Sequence, residues 1–234
     1  MAPDLANDDV VVVVRMYDEA RSVGAVVTQL REHFPHVVCV DDGSTDGCDL
    51  IARAAGATVV RHHDNLGGGA ALQTGLTWAR GRAAMRHVIT FDADGQHDVD
   101  DAVRLLAVAR ERGLDVVLGS RFLDTPPVNM PWARRCLLRA ATSFTRMTTA
   151  LDLTDTHNGL RVLSRSTVDG LELTLDGMAY ASQLLNHVAR RQLSYAEVPV
   201  TISYTEYSMA RGQSNLNALN IVFDLAVERL RGAR

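Results

Sequence analysis

The chain of 234 residues contains no lysine, and all 24 of its basic residues are arginines. That absence excludes Schiff-base and amine-nucleophile chemistry, and it excludes phosphate loops of the kind that need a lysine beside the phosphates. Cysteine is scarce as well: Cys39, Cys48 and Cys136 are an odd number without zinc-type spacing. No disulfide framework is implied, and small residues in a reducing compartment are expected. No apolar run is longer than Val10–Val14, far short of the roughly 20 residues that cross a bilayer. The first residues also lack the basic segment and apolar core of a signal peptide, so the expected location is the cytoplasm. A net charge of -4 argues against general nucleic-acid binding.

At 47% hydrophobic and 22% charged residues, the composition is that of a globular protein, expected as one domain spanning 1–234. Short apolar runs at 10–14, 36–40, 57–60, 87–91 and 115–119 read as buried strands. Helical spacing fills 18–33, 46–55, 68–80 and 99–112 between them. This alternation predicts an α/β fold with a mostly parallel central sheet and helices on both faces, because parallel neighbours require crossover connections. The second half is less regular. The prolines of TPPVNMP (125–131) require a loop, after which a helix is expected over 132–150, a strand at HNGLRVLS (157–164), a helix at 178–191, a strand pair or one bent strand at LSYAEVPVTISY, and an amphipathic helix from Asn215. The sequence shows no internal repeat.

Polar motifs fall where strands end, and sheets of this kind bind ligands at the carboxyl ends of their strands. In FDADGQHDVD (91–100), Asp92 and Asp94 repel one another unless solvated or neutralised by a cation, so the stretch reads either as a wet turn or as a metal site. VDDGSTDG (40–47) reads as a simple turn, or as an Asp pair facing a nucleobase or ribose, with Ser44 or Thr45 able to cap the next helix. NLGGGAALQTG (65–75) offers a glycine-rich helix start to a phosphate. It fails as a dinucleotide fingerprint, because Leu72 takes the third glycine's place and the motif does not follow the first strand. A nicotinamide oxidoreductase therefore rests on the α/β pattern alone. The segment from Thr125 to Leu151 holds Arg134, Arg135, Arg139 and Arg146 without an acidic residue, with Leu137, Ala141, Phe144, Thr148 and Leu151 at helical spacing. Such a helix covers a core, or meets an anionic membrane surface or a phosphorylated acceptor. His62 and His63 read as loop residues, and no Ser, His and Asp spacing suggests a hydrolase triad.

The order YDE, DDGSTD, NLGGGAALQTG, DADGQH, GSR, TDTHNGLRVLS and EVPV, covering residues 10–215, resembles the family 2 glycosyltransferases. The resemblance is to the branch with dolichyl-phosphate mannose synthase and bacterial polyprenyl-phosphate sugar transferases. It implies a GT-A fold, with a Rossmann-like nucleotide-sugar-binding half (9–120), an acceptor half and lid (121–215) and a C-terminal helix (216–234). It also implies a nucleotide-sugar donor, Mg2+ or Mn2+, and an acceptor that is a polyprenyl phosphate or a soluble hydroxyl compound. By position, Tyr17, Glu19, Asp41 and Asp42 hold the nucleoside, with Asn65, Gly67 and Gly69 beside it. Asp92, Asp94 and Gln96 match the metal and diphosphate motif. Arg121 suits a phosphate or acceptor role, and Asp155, supported by Arg161, lies near the acceptor. Arg134 and Arg135 belong to the basic acceptor segment, and Arg211 and Ser214 to the lid. Peripheral membrane contact and a homodimer through the tail helix are further expectations.

Three departures stand out. The usual PAYNE is RMYDE here, which places Arg15 and Asp18 at the nucleoside pocket. The lid motif MARGQSN carries Arg211 and replaces a lysine with Asn215. Where many relatives have a carboxylate on the helix after DGMA stands Gln183, which cannot act as a base. That fits an acceptor already ionised, such as a phosphate monoester with its second pKa of about 6, a base supplied by Asp155, or a catalytically weakened nucleotide-sugar-binding module.

Overall fold

Five consecutive valines leave a strand no polar face, so both of its faces must be covered. The computed structural model describes residues 7–123, 138–139, 142–143, 145–147, 149–175 and 179–203. Its elements are β1 (Val10–Met16), α1 (Val23–His33), β2 (His36–Asp41), α2 (Cys48–Ala54), β3 (Thr58–Arg61), α3 (Gly68–Arg80), β4 (His87–Asp92), α4 (Val99–Arg112), β5 (Val116–Ser120), β6 (Arg161–Ser164), α5 (Arg165–Gly170), α6 (Ala179–Arg191) and β7 (Tyr195–Pro199). Among the described residues the strands form one sheet in the order β3-β2-β1-β4-β6-β5-β7. Alternate valines of β1 point to opposite faces. Val10, Val12 and Val14 join α1, α2 and α4 in one core, and Val11 and Val13 join α3, α5 and α6 in the other.

Strands β3, β2, β1 and β4 run parallel, and β5 pairs parallel with β7. β6 alone runs the other way, between β4 and β5. The chain winds outward from β1 through β2 to β3, then crosses back to lay β4 on the other side of β1. The carboxyl ends of β1 and β4 therefore flank the point where strand order reverses, the place where such sheets open a crevice for ligands. Because β6 is reversed, the residues that precede it arrive at the same edge.

Several boundaries differ from the sequence expectation for local reasons. The strand expected from His157 starts at Arg161, because Asn158 Oδ1 accepts the Leu160 N–H and folds the chain into an Asx turn. The helix expected from Asp18 starts at Val23, since Asp18 has φ 52 and Glu19 O takes the N–H groups of Ser22 and Val23 in a turn. Ser44 and Thr45 do not cap α2. Asp46 Oδ1 accepts the Cys48 N–H, while Ser44 Oγ accepts the N–H of Asp18. β7 ends at Pro199, and Ile202 then bridges His97, so LSYAEVPVTISY follows a bent course as far as residue 203. The described residues within 132–150 are helical except Ala150, with Leu138, Thr142 and Thr145 buried and Arg139, Arg146 and Met147 exposed. The row Leu137, Ala141, Phe144 and Thr148 and the tail helix lie outside the described residues.

Candidate active site

β1 and β4 are neighbours in a register that sets Arg15 directly beside Asp92. The Arg15 guanidinium contacts Asp92 Oδ1, and His97 Nε2 stands 3.5 Å from the other oxygen. Gly159, in the turn before β6, lies so close that a Cβ there would come within 2.1 Å of Asp92 Oδ2. Burial alone would raise the Asp92 pKa, but Arg15 and His97 outweigh it and hold the carboxyl well below the ordinary range. Two residues on, Asp94 accepts the Gln96 N–H. Its pKa is raised, first by burial and then by repulsion from Asp92. Among the described residues no basic side chain makes an ion pair with Asp94, so the loop carries two carboxylates against one guanidinium in contact.

The loops after β1 and β2 are stitched together. Asp18 Oδ1 accepts the Thr45 N–H, and Asp46 Oδ2 accepts that of Ala20. Asp41 is fully buried and takes the Ser44 N–H, with Arg61 Nε 3.4 Å from its other oxygen. Asp42 is buried too. His62 Nδ1 and the Leu66 N–H meet its Oδ1, the Gly67 N–H meets its Oδ2, and His62 Nε2 reaches Thr74 on α3. Asp41 and Asp42 thus shape the loops at 43–46 and 64–67, with Asn65 Oδ1 adding a second acceptor for Gly67. Tyr17 is 47% exposed at the rim. Gly69 is required by packing, because a Cβ there would meet Leu175 O at 2.1 Å.

A second ion pair closes the far side of the edge. Arg121, just past β5, grips Asp155 with Nε and Nη2 at 2.6 and 2.7 Å, and Asp155 also accepts the N–H groups of Arg121 and His157. Burial would raise the Asp155 pKa, but Arg121 and those N–H groups bring it below the usual range. Glu197 of β7 supports the arrangement by accepting from the Thr154 and Asp155 N–H groups and the Thr154 hydroxyl. Arg161 is buried, donates to Asn158 O, and shares the Tyr180 ring with Arg15, their guanidinium carbons 6.0 and 4.9 Å from its centroid. Burial lowers the Arg161 pKa. His157 is pushed down to about 4, again by burial. It is neutral at pH 7.

Gln183 is engaged through both ends of its amide. Its Oε1 accepts the Thr174 and Leu175 N–H groups, while Nε2 donates to Glu172 O and Thr174 Oγ1, clamping the loop before α6. Arg134, Arg135, Arg211 and Ser214 lie outside the described residues.

Residues 11–171 match the model of Glycosyl transferase family 2. The chain belongs to that family. This glycosyltransferase is 28% identical to the UDP-N-acetylglucosamine–dolichyl-phosphate N-acetylglucosaminyltransferase of Methanococcus voltae, over 97% of this chain and 98% of that one. It is 28% identical to the polyprenol monophosphomannose synthase of Mycolicibacterium smegmatis, over 94% of this chain and 87% of that one. The glucosyl-3-phosphoglycerate synthase of Mycobacterium tuberculosis, solved with Mn2+ and UDP-glucose, superposes with a TM-score of 0.66 at 21% identity, over 86% of this chain and 72% of that one. The fold is accordingly the GT-A fold expected from the motifs.

Sequence reasoning passed over several groups that build the edge. His62 read as a loop residue, yet it links Asp42 to α3. Tyr180 drew no notice. Arg15 stood out as a departure without an assigned partner, although an arginine inside an otherwise valine strand signals a buried cation that needs a carboxylate nearby.

Proposed function

We propose that this glycosyltransferase moves a sugar from a nucleotide sugar to a polyprenyl phosphate, with inversion at the anomeric carbon, using Mg2+ or Mn2+ held by Asp92, Asp94 and Gln96. The observation that carries this reading is Asp94, a carboxylate beside Asp92 at the reversal point of the sheet, with no ion-pair partner among the described residues. Two carboxylates and a carboxamide offer hard oxygen donors, the kind these cations take, and a second positive charge relieves the repulsion that raises the Asp94 pKa. When bound, the metal neutralises charge on the departing nucleoside diphosphate.

The chain's own groups do the rest. Tyr17 offers an exposed ring to the nucleoside, and Asp41, Asp42 and Asn65 hold the flanking loops in place, with Glu19 at the same rim. Asp155 is locked into Arg121 and acts as a positioning group, since a carboxylate with both oxygens engaged and a depressed pKa is a poor base. A phosphate acceptor needs no base, being largely ionised at neutral pH with a second pKa of about 6. Arg121 and Arg161 bring positive charge to the edge it would approach. The likeness to a dolichyl-phosphate N-acetylglucosaminyltransferase and a polyprenol monophosphomannose synthase supports the same acceptor class. Arg139, Arg146 and Met147 are exposed on the basic segment and would meet an anionic lipid surface; among the described residues no helix is long and apolar enough to cross a membrane.

The test is transfer of labelled sugar from UDP- and GDP-sugars to a short polyprenyl phosphate in detergent with Mn2+, using wild type and Asp94→Ala. Transfer by the wild type, lost in an Asp94→Ala protein that melts normally, is the expected result. Wild-type turnover by Asp94→Ala would sink the metal assignment, and no transfer from any donor would sink the acceptor.

A further inference from the structure

The Arg15 guanidinium occupies an oxygen that a divalent cation at Asp92 would need. Its position is built. Arg15 is fixed by register beside Asp92, its guanidinium lies over the Tyr180 ring, and Gly68, the first residue of α3, leaves it room: a Cβ there would stand 3.0 Å from Nη1. The Arg15 side chain is only 17% exposed. A guanidinium so placed needs the carboxylate, and the carboxylate needs a cation.

We infer that Arg15 is a resident counter-ion of Asp92 that competes with the divalent cation and couples metal binding to nucleotide binding. This rests on the reading that Asp92 and Asp94 hold the metal. With no nucleotide present, a metal ion must displace Arg15 from Asp92 Oδ1 or accept fewer oxygens, so the cation binds weakly. A diphosphate gives the guanidinium another anionic partner, beside Arg161 on the same Tyr180 ring, and so frees Asp92 for the metal. By linkage, each ligand then raises the affinity for the other by the same factor. The arrangement depends on arginine at position 15, the first residue of RMYDE.

The size of the effect follows from charge. A neighbouring opposite charge shifts a carboxylate's proton affinity by roughly 1–3 log units, and a divalent cation competing for the same oxygens feels the same field. Removing Arg15 should therefore tighten Mn2+ binding in the absence of nucleotide roughly tenfold or more.

Mn2+ titrations of the full chain, read by the electron paramagnetic resonance signal of the free ion, test this without any turnover. Wild type and Arg15→Gln are compared at pH 8, alone and with saturating UDP or GDP. The expected result is tighter Mn2+ binding by Arg15→Gln alone and a smaller gain on adding nucleotide than wild type shows. Mn2+ binding by a cooperatively melting Arg15→Gln that is equal to or weaker than wild type overturns the inference and leaves the metal reading standing. Arg15→Met removes the charge with an apolar side chain of similar reach, and it carries the same test should Arg15→Gln not fold. Tighter binding than wild type supports the inference there, and unchanged binding overturns it. If neither protein binds Mn2+ even with UDP or GDP, the metal reading fails, and this inference fails with it.

Discussion

Replacing Gln183 by Glu exchanges one NH2 group for an oxygen, and the structure says what that oxygen would meet. Gln183 Nε2 donates to Glu172 O at 3.0 Å and to Thr174 Oγ1 at 3.1 Å, while Oε1 accepts two N–H groups. A carboxylate reproduces the accepting half only. The Thr174 hydroxyl can rotate to donate, but the Glu172 carbonyl cannot, so two oxygens would face each other across a hydrogen-bond distance. The lost bond costs about 1 kcal/mol, and because Glu172 is exposed its carbonyl can take water instead, so the total stays near 1 kcal/mol. In a chain of this size that lowers Tm by roughly 2–4 °C.

The pH dependence separates this account from a general loss of packing. Protonating the new carboxyl restores an O–H donor to Glu172 O, so the folded state raises its pKa above the unfolded value of about 4.3. The deficit is therefore full above the folded pKa and shrinks as pH falls through it. Urea denaturation of wild type and Gln183→Glu at pH 8 and pH 5 measures both terms. Equal stability at pH 8, or a deficit that does not shrink at pH 5, would refute the clamp. The same geometry predicts no gain in transfer to an alcohol acceptor, because the carboxylate would stay held by the Thr174 and Leu175 N–H groups.

Other consequences follow from the buried polar groups. Arg121→Ala leaves Asp155 buried and unpaired and should cost about 3–5 kcal/mol, whereas Arg121→Met combined with Asp155→Leu should cost less than the sum of the single changes; strict additivity in urea titrations would refute the pairing. His157, with its pKa pushed from 6.5 down to about 4 by burial, stays neutral in the folded chain while the unfolded chain takes up a proton, so stability falls as pH drops through that window, by up to about 3 kcal/mol. In His157→Asn this part of the acid slope should vanish, and an unchanged slope between pH 6.5 and 4 would show that other groups cause it.

The fold was legible because its signals are local. Unbroken valine in β1, apolar spacing at Val23, Val26, Val27 and Leu30 in α1, and Asp98 and Gly113 bracketing α4 each follow from neighbours a few residues away. The reversal of β6 was not legible. It depends on which strands pair across more than forty residues and on the Asx turn of Asn158. The site divides the same way. That Asp41, Asp42, Asp92 and Asp94 sit at strand ends could be read directly, but their partners could not, since Asp42 meets His62 and Asp92 meets Arg15 through sheet register alone. Gln183 shows the limit most clearly: from a motif it looked like a lost catalytic carboxylate, and in the structure its amide is used on both sides.

These pairings bear on the acceptor. A catalytic base must keep an open lone pair and a pKa near the working pH. Among the acidic groups described above, Asp42 and Asp155 have both oxygens engaged, Asp41 is fully buried, Asp92 lies under Arg15, Glu197 holds the Thr154 and Asp155 N–H groups, and Asp94 is given to the metal in the proposed reading. His157, at a pKa of about 4, is too weak a base to draw a proton from an alcohol. A phosphate acceptor brings its own charge, and then the acid limb of kcat/KM belongs to the substrate: it should rise through about pH 6 with a phosphate. It should move upward with a methylene-phosphonate analogue, whose second ionisation lies higher. Asp94, whose raised pKa could also produce an acid limb, cannot move with the acceptor. A limb that stays fixed when the acceptor's ionisation is shifted would therefore place the titrating group on the protein and remove the argument for a phosphate acceptor.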